Sequence, residues 1–463
     1  MALDSYLAAH NLALVPKQSS YRAIVTRSPV PKGSVIIKSP PLCSFPTSSV
    51  ADSICNHCFN SQVSRLTPCA TSSSSSSHSL MRCSRCKSAF YCSVQCQRKA
   101  WNLHHKWLCD GMVITDNTNG DYEMLRRVCL VIGGIAKKEY LTDYDVLYET
   151  FSGLMDHKSD YSQDILEYFN QVATVVLNDL SSIKNFNKSN LTTDDLVNYL
   201  CIFGCNNFTV HDNQIFSVGE GTYPVGSLFN HSCYPNAVVM YHGNVQIVKA
   251  IEDLSSNDEV MISYIDTANT KSTRQQLLTA KYYFDCKCIR CNGNIKDVDH
   301  LLAPASSTMP TALLLELSTR QRTLLSPLLP SLFIIPISIP PTLLQSLLSQ
   351  PHTPLALLSQ HLSDLLRNEQ WDIAAGIGYR ILAIYVLCYP RYHPMIGLHM
   401  YTMAKCFWNS TSDGRTAVEE AVKLSASARA VLEVSYKDCG EINWDVINAI
   451  DDLSRMASKE LNT

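Results

Sequence analysis

The stretch "SLFNHSCYPN", Ser227–Asn236, follows a short apolar run, Leu228–Phe229, with a dense group of hydrogen-bonding and metal-binding side chains. Asn, Ser and Pro all favour turns, and Pro235–Asn236 is a loop signal, so a polar turn is the plain reading. The other reading is the mouth of a chemical site. What the rest of the chain offers to His231 and Cys233 decides between them.

With 463 residues the chain exceeds the usual single domain, which implies two to four modules with sizeable cores. Its formal net charge is -3 and it has no run of five or more Lys/Arg, so composition advertises no nucleic-acid surface. The N-terminal "MALDSYLAAHNLALVPKQ" lacks the basic start, unbroken apolar core and cleavage site of a secretory signal. The expectation is an intracellular protein of the cytoplasm and/or nucleus. The most apolar stretch, "SPLLPSLFIIPISIPPTLL", is broken by Pro327, Pro330, Pro336, Pro340 and Pro341, which excludes a continuous membrane helix there. It reads as a semi-extended linker or buried connector. In such a compartment nineteen cysteines point to metal, catalysis or buried small side chains rather than disulfides.

Their spacing separates those choices. Cys55-x2-Cys58, Cys83-x2-Cys86, Cys92-x3-Cys96 and His105-x3-Cys109 form four pairs of soft ligands. A structural zinc takes four Cys or His ligands, so eight imply two closed sites. Spacing alone leaves the pairing open. "CNHC…CSRCKSAFYCSVQCQRKAWNLHHKWLC" resembles a MYND zinc finger, and that resemblance implies interleaved sites: Cys55, Cys58, Cys92 and Cys96 on one zinc, Cys83, Cys86, His105 and Cys109 on the other. His104 rivals His105, and the x3 spacing to Cys109 favours His105. The serine-rich insertion between Cys58 and Cys83 reads as a flexible loop, with Cys69 and His78 as bystanders. Closing a longer loop costs roughly 0.6 kcal/mol per doubling, small beside the roughly 10–16 kcal/mol of structural zinc binding, so the finger tolerates it.

A third group, Cys286-x-Cys288-x2-Cys291, supplies three thiolates and needs a fourth ligand from elsewhere in the fold; Cys233 of the opening stretch is the candidate. Left without metal, exposed thiols oxidise. "GEGTYPVGSLFNHSCYPNA", "EVMISYID" and "KYYFDCKCIRC" together resemble the core and post-SET segments of a SET domain. With the finger ahead of them, the chain resembles the SET-MYND family of S-adenosylmethionine-dependent protein-lysine methyltransferases over roughly Tyr21–Cys291. The resemblance implies that Asn230 and His231 hydrogen-bond the cofactor while Cys233 ties their turn to a third zinc. It further implies Tyr264 as the hydroxyl that aligns methyl and amine, Tyr282 as a wall of the lysine channel, Phe284 packed on the cofactor and Asn206 as a cofactor asparagine. The resemblance implies Lys17 as a cationic contact to the cofactor carboxylate and Ser19 as a further cofactor-binding residue. Gln18 and Ser20 replace the glycines the family carries there, which matters because glycine is used where a Cβ would clash. Tyr234 stands where most members have an acidic residue.

Such a transfer is an in-line displacement that needs an uncharged amine. A lysine of pKa about 10.4 is charged at neutral pH, and desolvation in an aromatic channel lowers that value. The implied partner is a protein substrate with a target lysine, with proline-rich peptides as further partners of the finger and a monomer as the working state. A non-catalytic adaptor that binds peptides through finger and helices is the competing reading.

The expected fold class is α+β. The implied order is the N-terminal part of a split β-rich SET domain (1–50), the finger (51–110), a helical insert (111–199), the SET core (200–268), a post-SET zinc segment (269–295), a Pro-rich connector (296–350) and an all-α, TPR-like C-terminal domain (351–463). Apolar residues at i, i+3, i+4 spacing support the insert and the C-terminal helices, with Pro390 as a turn and Pro394 as a first helical residue. A plain helical bundle closing a cleft is the alternative to a peptide-binding array there.

Overall fold

β-branched runs mark Arg22–Thr26 and Val35–Ser39, and the partners of Val35–Ser39 and Cys43–Pro46 lie far along the chain. The computed structural model describes residues 2–16, 22–60, 80–109, 120–133, 143–183, 191–293, 299–302, 311–332, 354–410 and 414–462. Strand Leu12–Pro16 pairs antiparallel with Arg22–Thr26. Val35–Ser39 instead joins Val245–Ala250, which pairs with Ala237–His242. Cys43–Pro46 joins Ser217–Thr222, which pairs with Asn207–His211. Two N-terminal strands thus complete sheets begun some two hundred residues later, as a split domain requires. Asn207–His211 and Ala237–His242 each lie at one edge of their three-stranded sheet.

The finger occupies the gap between these halves and is fastened to both. Gly243, at the tip of the Ala237–Ala250 hairpin, has φ +61°, and a Cβ there would lie 2.2 Å from the Cys58 carbonyl oxygen. Conformation and close approach both demand glycine at this position. Next to it the Asn244 amide donates to the His57 carbonyl oxygen at 3.0 Å. On the other side the buried Arg127 donates to Glu123 at 2.8 Å, to the Ser44 carbonyl at 3.0 Å and to His104 at 3.1 Å. One guanidinium therefore joins the insert, the N-terminal sheet and the finger.

Insert helices Gly120–Ile132, Tyr144–Ser152, Gln163–Ser181 and Thr193–Asn206 pack on the core built around Ile24, Ile37, Phe229 and Val248, the first of them buried all round from Met124 to Val131. Thr192 and Asp195 form a reciprocal capping box at the start of the last of these. That helix runs on to Asn206, so the strand-bearing core resumes at Asn207 rather than near Leu200.

The C-terminal helices Leu355–Arg367, Trp371–Cys388, Pro394–Asn409, Gly414–Tyr436 and Glu441–Leu461 follow as expected, with Pro394 at the first turn of its helix. Trp371–Cys388 is long and apolar enough to cross a membrane, but most of it is buried in the core of this module. The connector differs from its expectation. Thr311–Leu325 is a helix inside it, free of proline and rich in helix formers, and Ser326 donates to the buried Glu420. The helical module therefore begins by Thr311. Residues 333–353, Lys17–Ser20, the serine run, Cys69 and His78 lie outside the described residues.

His399 is buried in this helical core, with Nε2 donating to the Gly378 carbonyl at 2.8 Å, and burial lowers its pKa to about 4. The unfolded imidazole titrates near 6.5, so between about pH 6.5 and 4 the unfolded chain binds the extra proton. Stability from this residue is present above pH 6.5 and is lost as pH falls. Denaturant unfolding at pH 7 and pH 5 should therefore show a decline that shrinks by on the order of 2 kcal/mol in His399→Gln.

Candidate active site and metal centres

Three groups of four ligands assemble in the structure: Cys55, Cys58, Cys92 and Cys96; Cys83, Cys86, His105 and Cys109; Cys233, Cys286, Cys288 and Cys291. Within each, the ligand atoms lie within 4.8 Å of one another. Tetrahedral zinc with Zn–S near 2.3 Å sets its sulfurs roughly 3.8 Å apart, whereas a disulfide needs about 2.0 Å. The sulfurs of Cys58 and Cys92 are 3.6 Å apart, Cys83 and Cys109 3.9 Å, Cys233 and Cys286 3.9 Å, and Cys233 and Cys291 3.7 Å. The donor set and these separations fit zinc at all three places.

The finger pairs interleave as the resemblance implied. His105 sits on a π-helical turn, Trp101–His105, with Nε2 3.3 Å from Cys83 Sγ and 3.6 Å from Cys86 Sγ. Burial, then the nearby Arg127 charge, lowers its pKa to about 4, which keeps the imidazole neutral as a ligand must be. His104 faces the other way, its Nε2 accepting from Arg127 Nη1. Neighbouring residues on a helical turn point roughly 100° apart, which lets two adjacent histidines serve separate partners.

In the third group Cys233 supplies the missing fourth ligand. The Gln275 side chain, on helix Lys271–Tyr282, both donates to the Cys286 carbonyl and accepts from its amide, each at 2.8 Å. Arg274 Nη2 lies 3.8 Å from Cys291 Sγ.

The opening stretch is stitched to this centre. Asn230–His231 pairs parallel with Met261–Ile262, and the Ser232 amide donates to the Ile262 carbonyl. His231 Nδ1 accepts from the Tyr264 amide at 3.0 Å, and Nε2 lies 3.2 Å from Cys233 Sγ. Both ring nitrogens are thus engaged inside the protein. The side chain expected to reach a cofactor acts as an internal strut, and burial lowers its pKa to about 4, which keeps it neutral. Asn230 Nδ2 donates to the Arg22 carbonyl at 2.6 Å and to Glu259 at 2.8 Å.

Tyr264 donates its hydroxyl to the Phe229 carbonyl at 2.6 Å. Its ring lies 4.8 Å from that of Tyr282 and 6.5 Å, edge to face, from that of Phe284. Burial, then the Tyr282 phenol, raises its pKa above the ordinary tyrosine range, and burial raises that of Tyr282 to about 12. Both phenols stay protonated at neutral pH. Tyr264, Tyr282 and Asn206 line a cavity of about 550 Å³. The Asn206 side chain donates to the Met155 and Ile202 carbonyls at 3.0 and 2.9 Å, which fixes it at the end of its helix. His231 and Phe284 touch Tyr264 without lining the cavity. Lys17 and Ser19 lie outside the described residues.

The cavity also takes its walls from the two edge strands, from Asp266 and Thr267, from Lys281, and from Tyr389 and Met395 of the helical module. The sequence reading missed Tyr389, Asp266 and Arg22. "YPRYHP" marks a turn, but nothing in it says which surface the turn faces.

Comparison with known proteins agrees with this geometry. A family model described as MYND finger matches residues 55–109. The chain is similar to N-lysine methyltransferase SMYD2 of Rattus norvegicus, 30% identical over 47% of this chain and 49% of that protein. SMYD2-B of Xenopus laevis is 31% identical over 47% and 49% of the two chains. The chain thus spans about half the length of these curated relatives. Histone-lysine N-methyltransferase ASHR1 of Arabidopsis thaliana is 25% identical over 90% of this chain and 89% of its own. The chain thus carries a MYND finger at residues 55–109 and is similar over about half its length to N-lysine methyltransferase SMYD2. A solved structure of Rubisco LSMT bound to AdoMet covers 100% of this chain and 92% of its own at 11% identity, with a TM-score of 0.32, a likeness too loose to support an argument.

The geometry of the finger lets the two histidines be separated experimentally. His105→Ala should lower bound zinc from three equivalents to two, while His104→Ala should keep three. Metal analysis of the purified variants checks it; two equivalents in His104→Ala would overturn the assignment.

Proposed function

We propose that the protein is an S-adenosylmethionine-dependent protein-lysine N-methyltransferase acting on histone and/or non-histone proteins. The observation that carries this reading is the placement of Tyr264. Its ring and that of Tyr282 line the cavity, while its backbone amide is held by His231 and its hydroxyl by Phe229, in the turn tied to the third metal centre. S-adenosylmethionine supplies an electrophilic methyl group on a sulfonium. The residues suited to hold it are Asn230, Asn206, Phe284 and the main chain around His231, together with Lys17 and Ser19.

The chain's own groups would do the rest. Tyr282 and Tyr264 form an aromatic wall that excludes water and so lowers the pKa of an incoming lysine, while the ring faces stabilise the sulfonium and the methylated ammonium. Tyr264 stays a neutral phenol, so it orients the amine rather than taking its proton. Holding nucleophile and methyl in line supplies several kcal/mol of the barrier. Proline-rich peptides at the finger, a monomeric state and residence in cytoplasm and/or nucleus complete the reading.

Calorimetric titration of zinc-loaded protein with S-adenosylmethionine and its demethylated product tests it first. Binding weakened at least about tenfold in Asn230→Ala, or about 1.4 kcal/mol, supports the cofactor turn. With a lysine substrate found, Tyr264→Phe should lower kcat by on the order of a hundredfold while cofactor affinity holds within a few-fold. No binding by folded wild-type protein would leave the adaptor reading in its place.

A further inference from the structure

The cavity wall is built from two parts of the chain that meet without a continuous backbone between them. One part is Asp266–Thr267, just past Tyr264; the other is Tyr389 and Met395, just past helix Trp371–Cys388. Two cross-links join them. The Tyr389 hydroxyl donates to Asp266 Oδ1 at 2.8 Å. Arg290 Nη1 donates to the Thr267 carbonyl at 2.6 Å and to the Cys388 carbonyl at 3.0 Å.

Arg290 is suited to this by position. It lies between the ligands Cys288 and Cys291, in a turn closed by the Asn292 amide on the Cys288 carbonyl at 2.9 Å. Its guanidinium is buried, with the residue 7% exposed. Cys388 ends its helix, so its carbonyl has no intrahelical partner and carries the negative end of the helix dipole. A cation there satisfies both demands. Its anchorage at the metal turn removes much of the rotamer freedom a long side chain would otherwise lose.

We infer that Arg290 is a positioning residue that staples the helical module to the Tyr264 loop and sets the spacing of the cavity wall against a lysine-bearing chain. The third metal centre then orders both the Tyr264 turn and the far wall of the same cavity. The substrate half of this inference rests on the methyltransferase reading; the staple itself does not.

The test compares wild type, Arg290→Gln and Arg290→Lys, with zinc content measured first. Hydrogen exchange should rise at least about tenfold in Arg290→Gln within residues 264–268 and 386–395, with the finger unchanged and three zinc equivalents retained. Arg290→Lys, which keeps a cation on a shorter stem without the planar fork, should restore part of the protection. Unchanged exchange, a rise spread over the whole chain, or loss of one zinc equivalent would each overturn the staple. Should Arg290→Gln fail to fold, Arg290→Lys and Tyr389→Phe carry the test: Tyr389→Phe should loosen the same two segments, and tight segments there would overturn the staple. With recombinant core histones as the probe, Arg290→Gln should raise KM about tenfold with kcat within twofold of wild type. A fall in kcat at constant KM would overturn the positioning role. Wild-type protein that binds no S-adenosylmethionine would sink the methyltransferase reading and leave the exchange result to decide on the staple.

Discussion

The four-thiolate centre formed by Cys233 with Cys286, Cys288 and Cys291 is the constraint on which the candidate site depends. The turn that carries Asn230 and His231 has a parallel ladder of only two residues. Such a ladder contributes a few hydrogen bonds at roughly 1 kcal/mol each, too little to hold a polar turn in one geometry. Structural zinc is worth roughly 10–16 kcal/mol and acts on Cys233 itself. Order then passes along short links: from Cys233 to His231, from His231 to the Tyr264 amide, and from the Tyr264 hydroxyl to Phe229.

The finger is likewise part of the architecture rather than an appendage. Its first zinc turn supplies the Cys58 carbonyl that Gly243 approaches and the His57 carbonyl that Asn244 caps. Its second supplies His104 to the buried Arg127. A side chain at Gly243 or a neutral residue at Arg127 would disturb finger and sheet together, because each serves both. Breaking a buried charge's partnerships generally costs about 3–5 kcal/mol, more than most surface changes.

The metal centres were legible because zinc fixes ligand type and local spacing, and short spacing survives in a linear string. Cys233 was legible for a related reason: three thiolates call for a fourth. The interleaving of the finger came from resemblance, since spacing permits other pairings. What stayed hidden shares one feature. Arg127, Arg290 and Asn244 act on backbone carbonyls of Ser44, Thr267, Cys388 and His57, and any residue has a carbonyl. No side-chain pattern announces such a partner. His231 shows the complementary case: the motif marked it as a site residue, and only the three-dimensional arrangement showed that its ring is spent on Tyr264 and Cys233. The helix Thr311–Leu325 was obscured by averaging, because it fills the proline-free interval between Pro310 and Pro327 of a connector that is proline-rich as a whole.

The protonation states at the site restrict the chemistry on the proposed reading. Tyr264 and Tyr282 are held neutral by burial, and His231 is neutral and internally bonded. None of these three is poised to take a proton near pH 7, where an effective general base has a pKa close to the working pH. A lysine substrate would therefore have to lose its proton on entering the aromatic cavity. Desolvation would do the work that a base does elsewhere, and it acts only while the walls exclude water. That dry wall is the Tyr264–Tyr282 pair, whose rings lie 4.8 Å apart, so the spacing to Tyr389 across the cavity decides which chains reach the pair rather than how the amine is desolvated.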